Sequence, residues 1–332
     1  MISFFDVLIT VIFLLLLAIP GYIFAKLKML PKSSSETLST LVLYGCQPVL
    51  IIVGFQGTSF KSEIGWNMLL VAALALVLHL VMIAIVKLAF IKKEKDEQFK
   101  IIKYMSVFSN CAFMGVPFLQ SLFTDPALQG EVLIYCSVVV AVFNVLTWTF
   151  GVYMMTGDKK QVSIKKVLLN PVIIAVAIGL LLFVTVQKPL IELATEGTAL
   201  YKTITKFMST LNFIANTVTP LSMFVIGIRL ANISLKQLFI DGRAYISAAM
   251  KLLVMPIITM FSVAFLPISA TIKYTLFFLL AMPGAASGVM LAVKFDKDGD
   301  FASVCVLLST VLCVATIPPL YLFMNTVLGI PI

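Results

Sequence analysis

The chain has 332 residues, of which 61% are hydrophobic and only 12% charged, and a formal net charge of +9. A soluble domain carries about 25% charged residues, so this composition excludes an ordinary globular protein. The basic residues are scattered over many short loops rather than gathered in one patch, which argues against a nucleic-acid partner.

A bilayer core of about 30 Å, crossed at about 1.5 Å per residue, needs about 20 apolar residues. Runs of that length place ten spans at 4–25, 37–56, 64–90, 101–123, 130–155, 166–186, 204–228, 243–266, 272–294 and 301–328. The expected class is therefore an all-α membrane protein. Span 1 has no basic leader and no small-residue cleavage site, so it reads as a retained span. Pro48 in span 2 and Pro220 in span 7 occupy similar apolar contexts at an offset of about 172 residues. Span 4 is interrupted by Ser109-Asn110-Cys111-Ala112-Phe113-Met114-Gly115-Val116-Pro117. Span 9 is interrupted by Met282-Pro283-Gly284-Ala285-Ala286-Ser287-Gly288. A broken helix frees backbone N–H and C=O groups that lipid cannot satisfy, so each break must face protein or water. Segment 92–98, charged at every residue but Gln98, reads as a solvated loop. The turn 296–300 lacks the spacing of a calcium loop; it is expected to end span 9 and to cap span 10 through Asp300.

Splitting the chain at the loop 156–166 leaves five spans on either side, so the halves enter the membrane from opposite faces. That is the pattern of an inverted repeat, and paired breaks in matching spans point to a binding site between the halves. With the N-terminus outside, inner loops carry eighteen Lys and Arg and outer loops five, with Lys251 left inside a span. The positive-inside rule then puts both termini outside a plasma (cell inner) membrane.

No nucleophile elbow, phosphate loop or metal-ligand spacing occurs, so neither an enzyme nor a cofactor or metal is expected. The five cysteines all fall in spans without a CxxC pair and read as packing residues. Ionisable groups inside spans mark function or snorkel to an interface. Lys251 lies about 12 Å into span 8 by rise per residue; it serves either as a cation for an anionic substrate or a broken-helix carbonyl, or snorkels. His79 in span 3 reads as a neutral core histidine or as a polar, proton-handling site. No Asp or Glu lies near the middle of a span, which disfavours coupling through buried carboxylates. Each break offers a half-helix N-terminus with free N–H donors and about +0.5 charge. Ser109, Asn110 and Ser287 add side-chain donors, and Gly284 and Gly288 either admit a ligand to the backbone or let two helices cross closely.

These residues resemble the auxin efflux carrier family, which includes plant PIN proteins and bacterial carriers. Asn110 through Leu119 is similar to the family's Asn-x-x-x-Met-Gly-Ile-Pro-Leu-Leu signature. Pro283-Gly284 with Ala292-Val293-Lys294-Phe295, Asn170-Pro171, Gly227 after Pro220, and Asn144 with Trp148-Thr149 follow the family order. The resemblance implies ten helices in two inverted five-helix repeats whose spans 4 and 9 cross. It implies scaffold segments 1–60 and 158–235, with transport segments 61–157 and 236–332. It further implies elevator-type movement, a homodimer through the scaffold, and a small organic anion, such as a malate- or malonate-like carboxylate, as substrate. Substrate contacts are then expected among Ser109, Asn110, Gly115, Pro117, Asn144, Lys251, Pro283, Gly284, Ser287 and Gly288, with Pro48 and Pro220 as helix-breaking supports. The span 9 break contains no Asn and the long inner loop of many plant members is missing, so contacts specific to auxin do not carry over. Export of an anion from a cytoplasm negative inside is downhill by about 2.3 kcal/mol per charge per 100 mV. The rival expectations are a sodium-coupled organic-anion symporter of the bile-acid carrier type and a membrane sensor that binds without moving its ligand.

Overall fold

The computed structural model describes residues 2–31, 33–326 and 329. Lys32 and the last residues of span 10 lie outside them. Among the described residues every regular element is helical, and eight segments are long and apolar enough to cross a membrane. In chain order, with the shorter helices between them, they are α1 (Phe4–Lys26), α2 (Ser34–Phe55), α3 (Ser62–Ala89), α4 (Glu97–Val107), α5 (Cys111–Leu122), α6 (Leu128–Thr156), α7 (Lys159–Leu193), α8 (Ala199–Ala231), α9 (Gly242–Ala264), α10 (Ala270–Ala281), α11 (Ser287–Lys294) and α12 (Gly299–Thr326). The eight long segments fall on eight of the expected spans. Spans 4 and 9 are each split in two, as α4 with α5 and α10 with α11.

Helix starts follow from side-chain caps. Ser3 and Asp6 form a reciprocal capping box at α1. Asp96 accepts from the Gln98 and Phe99 amides at α4, and Asp241 and Ser269 cap α9 and α10. At α12 the capping carboxylate is Asp298, which accepts from Phe301 N at 2.8 Å. This corrects the expectation for Asp300, which sits inside the first turn. A cap acts from the residue before the helix onto its third amide, and only Asp298 has that spacing.

Prolines explain where the helices loosen. A proline ring clashes with the carbonyl four residues back. Pro48, Pro117 and Pro256 each follow a one-turn π segment, at Val42–Cys46, Cys111–Gly115 and Met250–Val254. The clashing carbonyls, those of Tyr44, Phe113 and Leu252, lie within these wider turns, which absorb the misfit without ending the helix. Pro117 therefore belongs to a continuing helix, and the span 4 interruption is shorter and earlier than the sequence suggests, centred on 108–110. In span 9 the interruption covers 282–286, and Ser287 and Gly288 are already helical.

Two glycines set the contact of α1 with α8. A Cβ on Gly21 would stand 2.1 Å from Phe224 O, and one on Gly227 would stand 1.9 Å from Ala18 O. Backbone thus rests on backbone, the small-residue packing that membrane helices use when water-driven burial is absent.

Candidate functional site

The two interruptions meet. Asn110 N donates to Pro283 O at 2.7 Å and Ala285 N donates to Phe108 O at 2.9 Å, with Ser109 and Gly284 paired as an antiparallel bridge. Backbone groups that lost their helical partners in one break are satisfied by the other. Gly284 N donates to Ser309 Oγ of α12 at 3.0 Å, and Ser309 Oγ in turn donates to the carbonyls of Cys305 and Val306.

Lys251 is fully buried behind this bridge. Its ammonium donates to Leu280 O at 3.0 Å, to Val107 O at 3.3 Å and, at very short range, to Ser109 Oγ. Val107 ends α4 and Leu280 lies in the last turn of α10. A cation there neutralises two half-helix C-terminal ends, each worth about −0.5 charge. Snorkelling is excluded by this burial; the broken-helix role is the one the geometry takes. Ser109 Oγ also reaches Leu280 O at 3.3 Å.

Asn110 carries a polar atom left over. Its backbone is fully used, yet its side-chain Nδ2 is buried and has no hydrogen-bond partner among the described residues. His79 is also buried; Nδ1 pairs with Ala75 O at 2.7 Å, Nε2 has no such partner, and the ring lies 6.1 Å from that of Phe108.

A cavity of about 150 Å³ is lined by residues that follow each interruption, and by none of the bridge itself. Ala112 of α5 and Ser287 of α11 line it from the two broken spans, Asn144, Thr147 and Trp148 from α6, Tyr44 from α2, and Asn170 from α7. Lys294 at its edge holds its ammonium 5.1 Å from the Trp148 ring centre. Asn144 is tied in place: Nδ2 donates to Val140 O at 2.8 Å and Oδ1 accepts from Asn170 Nδ2 at 3.0 Å. Asn170 Oδ1 accepts from Val172 N, so the link is anchored at a helix cap.

Of the residues singled out in the sequence, Ser109, Asn110, Lys251, Pro283 and Gly284 come together at the bridge, and Asn144 and Ser287 face the cavity. The others belong to neither group. Gly115 packs against Leu279 and Met282. The space above Gly288 is filled by Met105 and Tyr104, whose atoms would lie 2.5 and 2.7 Å from an added Cβ. Pro117 is buried in the middle of α5, Pro48 follows the π turn of α2, and Pro220 lies in the second half of α8.

Three contributors gave no signal in the sequence. Tyr104 hydrogen-bonds Ser287 Oγ at 2.9 Å and stacks on Phe108 at 4.6 Å. Ser309 is one serine among many in apolar runs. Arg229, counted above with the inner-loop cations, is buried in α8; Nη1 donates to Ala286 O at 3.1 Å and Nη2 to Ser39 Oγ at 3.3 Å. Its position one turn before a helix end looks like a loop charge until the tertiary contact is known.

No curated protein matches the chain. A family model described as membrane transport protein matches residues 6–321, nearly the whole chain. Together with the many apolar helices, this makes the chain a multi-pass membrane transporter that belongs to the membrane transport protein family, the family of the auxin efflux carriers.

Proposed function

We propose that the protein exports a small organic anion, a carboxylate, by elevator-type alternating access. The observation that carries this reading is the buried, unpartnered Nδ2 of Asn110 at the meeting point of two unwound segments. A buried donor without a partner is rare in proteins, and a bound anion would supply its acceptor. The 150 Å³ cavity lined by Ala112, two residues after Asn110, fits a small guest and adds Ser287, Asn144 and the Lys294 charge. In this reading the ten spans form two inverted five-span repeats with spans 4 and 9 as crossover helices, in the plasma membrane with both termini outside. Segments 1–60 and 158–235 are the scaffold, with a homodimer formed through it; 61–157 and 236–332 move with the substrate. The cavity lies across that division, since Tyr44 and Asn170 come from the scaffold and its other named residues from the moving part.

The Lys251 ammonium already bonds the oxygens that a small cation between the breaks would use. That supports transport without sodium. The test is flux of labelled malonate and malate from proteoliposomes. Saturable, sodium-independent flux, cut at least tenfold in Asn110→Ala at unchanged melting temperature, is the expected result. Sodium-dependent flux would transfer the assignment to the symporter reading, and binding without flux to the sensor.

A further inference from the structure

A second polar cavity, of about 610 Å³, lies at the loop end of α3, α4 and α6. Its wall carries Lys87, Lys95, Lys100 and Lys103, opposed within the lining by Glu94 alone. Lys100 is engaged, 2.6 Å from Glu97. Lys103 is different. Its stem is packed between the helices, and its ammonium faces the cavity with no hydrogen bond or ion pair among the described residues, Glu94 acting on it only at longer range. Four basic side chains facing one carboxylate leave an excess of positive charge in the cavity, which an anion would balance. Phe150 and Tyr153 of α6 line the same cavity and remain exposed, which gives an apolar flank beside the basic floor. Basic pockets between membrane helices, close to their ends, suit lipid head groups. A free inorganic anion would need the lysines but not the aromatic flank.

We propose that this cavity binds the phosphodiester head group of an anionic phospholipid, with Lys103 as the inner contact and Lys87 and Lys95 as the outer contacts. The glycerol and acyl chains lie along Phe150 and Tyr153. The proposal is independent of the substrate and of the transport mechanism. Lys103 also stands one helical turn before Val107, the residue whose carbonyl meets Lys251, so an occupied pocket would brace the start of the broken span.

The test uses the purified full-length chain in a neutral detergent. It is titrated separately with dioctanoyl phosphatidylglycerol, dioctanoyl phosphatidylcholine and inorganic phosphate, and read by melting temperature and by native mass spectrometry. Phosphatidylglycerol should bind and raise the melting temperature, while phosphatidylcholine and phosphate should not. Lys103→Gln should weaken binding at least tenfold. The exposed-site variants Lys87→Gln and Lys95→Gln, which leave the helical core untouched, should each weaken it about fivefold, the effect of one lysine near a lipid surface. They carry the test if Lys103→Gln fails to fold. Equal stabilisation by phosphate alone, equal binding of phosphatidylcholine, or phosphatidylglycerol binding unchanged in the lysine variants would each overturn the proposal.

Discussion

Replacing Lys251 by methionine keeps an unbranched side chain, one heavy atom shorter, and removes its charge. Three contacts disappear: to Val107 O, to Leu280 O and to Ser109 Oγ. Leu280 O keeps the Ser109 hydroxyl at 3.3 Å, so Val107 O suffers most. A buried carbonyl stripped of its donor costs about 1–3 kcal/mol. Two helix C-terminal ends also lose their cation, at about 0.3–1 kcal/mol each and more where burial is deep. Against this stands the desolvation of the ammonium, which the variant no longer suffers. The net expectation is a loss of about 2–4 kcal/mol, concentrated at the bridge. By the usual scaling this lowers the melting temperature by roughly 5 °C. Flux should fall further than stability does, because the strained segment is the one that holds Asn110. The assay pairs a thiol-reactive dye melt in detergent with proteoliposome flux, and Ser109→Ala, expected to cost about 1 kcal/mol, serves as the milder comparison. A Lys251→Met protein that melts within a degree of wild type and transports at the same rate would refute the electrostatic account of the bridge.

Gly227→Ala pushes a methyl to 1.9 Å from Ala18 O, a backbone atom that cannot step aside. It should cost about 3 kcal/mol or more and show as a collapse of the monodisperse peak in size-exclusion chromatography. Arg229→Gln removes the buried guanidinium bonds to Ala286 O and Ser39 Oγ. If α8 belongs to a static part and the 282–286 segment to a moving one, this variant should change the transport rate several-fold, with a thermal loss of about 2 kcal/mol; unchanged flux would remove the contact from the gating step. Glu97 is held below its ordinary value of 4.5 by hydrogen bonds from Lys100 and Lys297. A lowered carboxylate pKa stabilises fully above 4.5 and is lost as pH falls through the lowered value. With the Glu97 side chain 52% exposed, the effect should stay below about 1 kcal/mol. Melting curves of wild type and Glu97→Gln should therefore differ slightly at pH 6 and converge in strong acid.

Much of the membrane layout was legible in the sequence, because lipid leaves a chain few choices. Eight of the expected spans coincide with apolar helical segments long enough to cross a membrane, and the two breaks were recognisable from Pro283-Gly284 and from the polar run at Ser109-Asn110. The edges of the breaks were not legible. Pro117 resembles a helix breaker in sequence, but a π turn beginning at Cys111 accommodates it, and nothing local distinguishes the two outcomes. The site was half readable. Lys251 stood out as a charge among apolar residues, whereas two of its three partners are backbone carbonyls, which every residue possesses. Arg229 failed for a related reason. Its burial depends on Ser39 and Ala286, 190 and 57 residues away in the chain. Tyr104 and Ser309 contribute through one hydroxyl each, and isolated hydroxyls in apolar runs are too common to signal anything.

The exchange of hydrogen bonds between Phe108–Asn110 and Pro283–Ala285 has a genetic corollary. Each unwound strip supplies acceptors or donors that the other cannot replace from its own helix. Injury to the first half of the gene is therefore felt in the second at full strength. Paired substitutions, one in each strip, should do little more harm than the worse of the two alone, and lineages that alter one strip should be pressed to adjust its distant counterpart.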